Sequence, residues 1–158
     1  MLPSRSGSRI RLILQKRGRF EMSDPVDFVA QLKDLSKLAQ FNNWLGVEVV
    51  AASAGDVELR LPWREELGQY SGFLHAGVIG ALLDTASGFA VYTMAGRVLT
   101  SQYSVKCLRP AVAQVFVVKG RVLKPGRQQI FAQAELTSLD EPGKLLAVGD
   151  ALLVPGGT

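Results

Sequence analysis

A single carboxylate, Asp84, stands inside the most apolar stretch of this sequence, FLHAGVIGALLDTASGFAVYTMAG (Phe73–Gly96), where 15 of 24 residues are apolar and four are glycine. A charged carboxylate is costly in apolar surroundings unless it is paired or takes part in chemistry. Two readings stay open: Asp84 bonds nearby backbone or points to water, or it is a catalytic carboxylate. His75, the single histidine of the chain, lies nine residues earlier, about two and a half helical turns. The two therefore project from opposite faces, which argues against a His–Asp dyad within one chain. His75 falls instead where the helix begins, so the N–H groups of Ala76 and Gly77 are unpaired at the positive end of the helix dipole. Such donors can hold a developing oxyanion. A two-fold dimer would set Asp84 of one subunit across from the Ala76 amide of the other.

These groups need elements to hold them. Asp24 or Ser23 can cap a first helix with Pro25 in its first turn, and Val26, Val29, Leu32, Leu35 and Leu38 recur near helical spacing. Phe41–Leu45 leads through Gly46 into a strand, Val47–Ala51, with a turn at Ser53–Gly55. Val57, Leu59 and Leu61 alternate with Asp56, Glu58 and Arg60, a half-buried strand that Pro62 ends. Trp63–Gly72 reads as a polar loop. The apolar segment predicts a helix of roughly five turns over Ala76–Met94, and Gly96 fits the position just past its end.

Four strand patterns follow. Gln102–Leu108 sets Tyr103, Val105 and Cys107 on one face, so Cys107 is most simply core. Val112–Leu123 is rich in valine, and Gln129–Thr137 turns Ile130, Ala132, Ala134 and Leu136 one way. Leu145–Val154 is too apolar to have a wet face. Phe89 and Tyr92 on the long helix read as packing, with contact to a bound ligand as the alternative. A helix apolar all round needs burial on every side. An antiparallel sheet wrapped around it supplies that burial, which makes the fold class α+β.

With 158 residues, 47% apolar and 20% charged, the chain fits one soluble globular domain. Its net charge of +4 is carried by one end: residues 1–21 hold six basic side chains against Glu21, and the remainder nets −1. That distribution argues against nucleic-acid binding. Residues 1–21 read as a basic extension, disordered or dispensable, with Met22 as a natural start. An organelle transit peptide or an amphipathic surface helix are the other readings, and the expected location is cytoplasmic. The segment Phe73–Gly96 is long enough to span a bilayer, but His75, Asp84, the glycines and the following strands favour a core helix. One cysteine and one histidine leave no disulfide framework and disfavour a metal site.

The run Gly72-Phe73-Leu74-His75-Ala76-Gly77, with an acid nine residues after the histidine and Thr85 following it, resembles the hotdog-fold acyl-CoA thioesterases, in particular the PaaI-like and aryl-CoA (4-hydroxybenzoyl-CoA) branch. The resemblance covers roughly residues 41–154 and implies one hotdog domain over 22–158. On it, Asp84 attacks the thioester carbonyl or activates water, and the Ala76 amide of the partner subunit polarises that carbonyl. Gln69 falls where such enzymes place an Asn or Gln near the thioester, Thr100 where relatives position water, and His75 orders the loop at the helix start. Arg109, Lys124, Gly126 and Arg127 fall near where relatives hold coenzyme A, and Gly77 and Thr85 join them as substrate-binding residues. The usual His-Gly-Gly is His-Ala-Gly here, and alanine still supplies the backbone donor. The implied reaction is hydrolysis of an aryl or short- to medium-chain acyl-CoA by a homodimer or homotetramer. No cofactor or metal enters, since coenzyme A is part of the substrate. The alternatives are a hotdog hydratase or dehydratase and a non-catalytic acyl-CoA-binding protein.

Overall fold

The computed structural model describes residues 26–156; the basic extension and the expected cap at Ser23 or Asp24 lie outside the described residues. Helix α1 (Phe28–Leu38) is capped instead by Asp27, whose carboxylate accepts from the Ala30 N–H at 3.0 Å. The segment expected as a plain lead-in forms a second short helix, α2 (Gln40–Leu45). It stops at Gly46, whose φ of 75° is the left-handed conformation that glycine adopts without strain. A hairpin follows, β1 (Glu48–Ser53) and β2 (Asp56–Pro62), then a 3-10 turn at Glu65–Leu67 and the long helix α3 (Ala76–Ala95). The remaining strands are β3 (Val98–Tyr103), β4 (Lys106–Cys107), β5 (Val115–Lys124), β6 (Ile130–Ser138) and β7 (Ala147–Pro155).

The strands form one sheet in the order β1-β2-β5-β6-β7-β3, with β4 also on β7, and every pairing is antiparallel. This is the α+β arrangement expected, a sheet wrapped around one long helix. The register explains how the two fit. Leu59, Val118, Leu136 and Ala147 stand opposite one another across four strands, all fully buried. The neighbouring row is Val57, Gly120, Ala134 and Gly149. A Cβ at Gly120 would run into the carbonyl of Ala86, and one at Gly149 would meet the Ser104 carbonyl and Leu83. The sheet is therefore pared down where α3 crosses it, and the helix lies almost backbone to backbone on β5.

Four expectations are corrected. The stretch read as one strand, Gln102–Leu108, splits: β3 begins earlier, at Val98, and β4 is a separate pair of residues. Cys107 is exposed on β4 rather than core. β7 has a wet face, because its residues alternate and Asp150 points outward to Lys106 at 2.9 Å. Helix α3 is not buried all round. Gly77 is exposed, and Ala81, Asp84, Thr85, Gly88 and Tyr92 are half-buried along one stripe that the sheet leaves uncovered.

The hydrogen bond from the Lys106 ammonium holds the Asp150 carboxyl below its ordinary value of 3.8 against the opposing effect of burial, with the Lys106 charge and hydrogen bonds from Gln133 and Ser104 adding to it. A carboxyl depressed in the folded state stabilises fully above its unfolded value, and that contribution is lost as the pH falls through the lower, folded value. Lys106→Met is expected to move the Asp150 titration upward, read by NMR, and to cost less than about 1 kcal/mol at neutral pH because the pair is exposed. Gly120→Ala is expected to destabilise by about 2–3 kcal/mol in urea unfolding through overpacking. Gly143→Ala, where a Cβ meets nothing, stays within about 0.5 kcal/mol.

Candidate active site

The start of α3 is fixed by its loop. Leu67 and Leu74 are buried on either side of a short crossing, Gly68 bridges Leu74, and the His75 N–H donates to the Leu67 carbonyl at 2.9 Å. Within the loop, the Gln69 N–H donates to the Phe73 carbonyl and the Gly72 N–H to the Gln69 carbonyl, with Gly72 at a φ of 77°. The Gln69 side chain is turned onto this loop, its Oε1 accepting from the Ser71 N–H at 2.6 Å.

His75 caps the helix. Its Nδ1 accepts from the Gly77 N–H at 2.9 Å, and its carbonyl accepts from Val78 and Ile79. The Ala76 N–H has no acceptor among the described residues. His75, Ala76 and Gly77 are all exposed, so an open backbone donor faces solvent at the positive end of a 20-residue helix. Alanine fits there without strain, since no non-glycine residue among the described residues has a positive φ.

Asp84 lies about 12 Å further along the axis. It is half-buried, and the Thr100 hydroxyl on β3 donates to its Oδ1 at 2.7 Å. Strand β3 is irregular just past this point, between Thr100 and Gln102. The pair opens into a groove of about 430 Å³ that Thr85, Phe89, Tyr92 and Leu153 also line. Gln69, His75, Ala76 and Gly77 are not part of that groove. The structure thus divides the candidates into two sets: Asp84, Thr85 and Thr100 in the groove, and Gln69, His75, Ala76 and Gly77 at the helix start.

The basic candidates are scattered. Arg109 is spent on the Leu145 carbonyl, to which its Nη1 donates at 2.6 Å. Lys124, Gly126 and Arg127 are exposed on the turn between β5 and β6, where they line a separate shallow depression. Gly126 has to be glycine there, because a Cβ would strike the Gln129 carbonyl. Among the described residues, no three His, Cys, Asp or Glu side chains converge on a metal position.

Sequence reasoning missed part of the groove. The row Asp84, Gly88 and Tyr92 repeats every four residues on α3, a spacing that puts Tyr92 on the same face as the carboxylate, about 12 Å along the axis. Leu35 from α1 and Asn42 from α2 also reach the groove, and no local pattern announces a contact made by folding.

A family model described as the thioesterase superfamily matches residues 71–143, a span that contains every site candidate except Gln69. A thioesterase family protein from Silicibacter pomeroyi has a solved structure that superposes with a TM-score of 0.75 at 30% identity, covering 80% of this chain and 96% of that one. A candidate esterase of Saccharolobus solfataricus is 28% identical over 126 residues, 78% of this chain and 87% of its own length. The structure of the E. coli PaaI protein from the phenylacetic acid degradation operon superposes with a TM-score of 0.75 at 17% identity, covering 82% of this chain and 94% of that one. At that identity the likeness speaks for the fold alone.

His75→Ala is expected to lower stability by about 1 kcal/mol, the usual cost of a lost cap, and His75→Asp to restore most of it; urea unfolding monitored by circular dichroism checks both.

Proposed function

This chain belongs to the thioesterase superfamily, and from that premise we propose that it hydrolyses an acyl-CoA thioester to the free acid and coenzyme A. Membership supports thioester hydrolysis in general. The finer reading rests on one observation: a carboxylate held by a hydroxyl 2.7 Å away in a groove, and a free backbone donor at the start of the same helix.

In this reading Asp84 works at the thioester carbonyl as general base or as nucleophile. As base, it takes a proton from water while the water oxygen bonds to the carbonyl carbon. As nucleophile, it bonds to that carbon itself and water then cleaves the resulting anhydride. By either route the carbonyl oxygen gathers negative charge, the carbon–sulfur bond breaks, and the departing thiolate takes up a proton. Thr100 orients the carboxylate through Oδ1. The Ala76 N–H receives the oxyanion, helped by the helix dipole.

One chain cannot bring these together, because its own Ala76 is about 12 Å from Asp84 along the helix. A two-fold homodimer supplies the missing half, with Asp84 of each subunit facing the Ala76 of the other. The edge strand β3, paired on one side only and exposed beside Thr100, supports such an assembly. Gln69 and His75 hold the donor in place. Lys124 and Arg127, which Arg109 does not join because it is held on the Leu145 carbonyl, serve the coenzyme A end, and no metal or further cofactor is required. A dimer of such dimers is compatible with this site.

The test uses two variants. Ala76 is the first helical residue, where proline is tolerated, and His75 already has the extended backbone (φ −63°, ψ 136°) that precedes a proline. Ala76→Pro therefore removes the donor and keeps the helix. With a panel of aryl-, short- and medium-chain acyl-CoAs, Asp84→Ala and Ala76→Pro are each expected to lower thiol release by at least about 100-fold. Unfolding the two together and refolding the mixture should recover about a quarter of wild-type activity, since half the dimers are mixed and each has one intact site. Mixed dimers without recovery would overturn the shared site. A wild type that binds the esters but releases no thiol would be a non-catalytic acyl-CoA binder.

A further inference from the structure

The groove continues past Asp84. Asp84, Gly88 and Tyr92 form one row along α3, about 12 Å from end to end. Strand β3 borders the same groove: Thr100 meets Asp84, and Arg97, three residues earlier, stands about 10 Å away along the extended chain. Between these ends the walls are mostly apolar, from Leu35, Phe89, Val98 and Leu153, with Asn42 and Thr85 as the polar members.

The two ends carry opposite charge. Asp84 is the only acidic residue among the described residues that line the groove, and Thr100 holds it at the near end. Arg97 has no ion pair and no side-chain hydrogen bond among the described residues, although its main chain is pinned by the Gly156 N–H donating to its carbonyl at 2.8 Å. An anchored, unengaged guanidinium at the end of an apolar channel is suited to a planar anion, because its forked donors match a carboxylate in two parallel bonds.

We propose that the acyl group taken by this groove ends in a second carboxylate, held by Arg97, so that the substrates are ω-carboxyacyl thioesters. The inference rests on the groove beside Asp84 being the site of thioester hydrolysis. With the thioester carbon at Asp84, the acyl chain runs along the row toward Tyr92 and Arg97, and coenzyme A leaves in the other direction. The opposite orientation would bring a coenzyme A phosphate to Arg97, and the measurements below separate the two.

The full-length protein is assayed with length-matched pairs, hexanoyl- against adipoyl-CoA and octanoyl- against suberoyl-CoA, as wild type, Arg97→Ala and Arg97→Lys. In parallel, binding of free suberate and free octanoate is measured by calorimetry. The expected result is a preference of about tenfold or more for the carboxylated member in kcat/KM. Arg97→Ala should remove that preference chiefly through KM, and Arg97→Lys should keep part of it. Arg97 is exposed, so the melting temperature should hold. An equal loss on both members of each pair would put Arg97 on coenzyme A, and a preference that survives Arg97→Ala would overturn the inference outright. If no ester is turned over, the hydrolysis reading fails separately, and calorimetry still decides. Weaker suberate binding in Arg97→Ala than in wild type sustains the carboxylate site, and equal binding removes it.

Discussion

The closeness of α3 to the sheet governs the geometry of the site. At Gly120 the strand has no side chain, and the carbonyl of Ala86 occupies the space one would fill. With Ala86 pressed against β5, Asp84 lies two residues back, about 200° around the helix, and must face away from β5, toward the edge strand β3. The same packing that buries Leu82, Leu83, Ala86 and Ala90 therefore turns the carboxylate toward a groove where water and substrate can reach it. A bulkier residue at position 120 would lift the helix and shift the Asp84–Thr100 contact with it.

The helix start depends on a different economy. An α-helix leaves its first N–H groups without partners, and this chain spends the His75 imidazole on Gly77 while leaving Ala76 open. A cap directed at the next residue keeps the helix terminated and its first donor available. Alanine in place of the glycine expected from the family resemblance is compatible with this arrangement, because the position is helical and the useful group is the backbone.

What was legible in the sequence followed from periodicity. The extent of α3 came within one residue of its observed end, and the buried face of β6 followed from alternation at Ile130, Ala132, Ala134 and Leu136. The failures lie where tertiary structure overrides composition. Helix α3 is apolar on all faces, yet small residues along Gly77, Ala81 and Gly88 make a furrow rather than a buried seam. Cys107 alternates with Val105 and still ends exposed, because β4 is a two-residue bridge at the sheet margin with nothing packed over it. Asp84 was conspicuous by residue type, whereas Thr100 as its hydrogen-bond partner depends on β3 folding back across the helix, which no local pattern specifies.

The position of α3 in the chain also bears on how the protein is made. The helix is long and apolar enough to cross a bilayer, and the strands that cover it, β5, β6 and β7, all come later in the sequence. On the ribosome α3 therefore emerges well before its shelter exists. Strand β3, at the far edge of the sheet, pairs only with β7, the last strand in chain order among the described residues. The helix thus waits for its cover until β7 has been made, and the sheet around it closes only when that strand arrives. The glycines and the lone aspartate that shape the groove also lower the hydropathy of this segment.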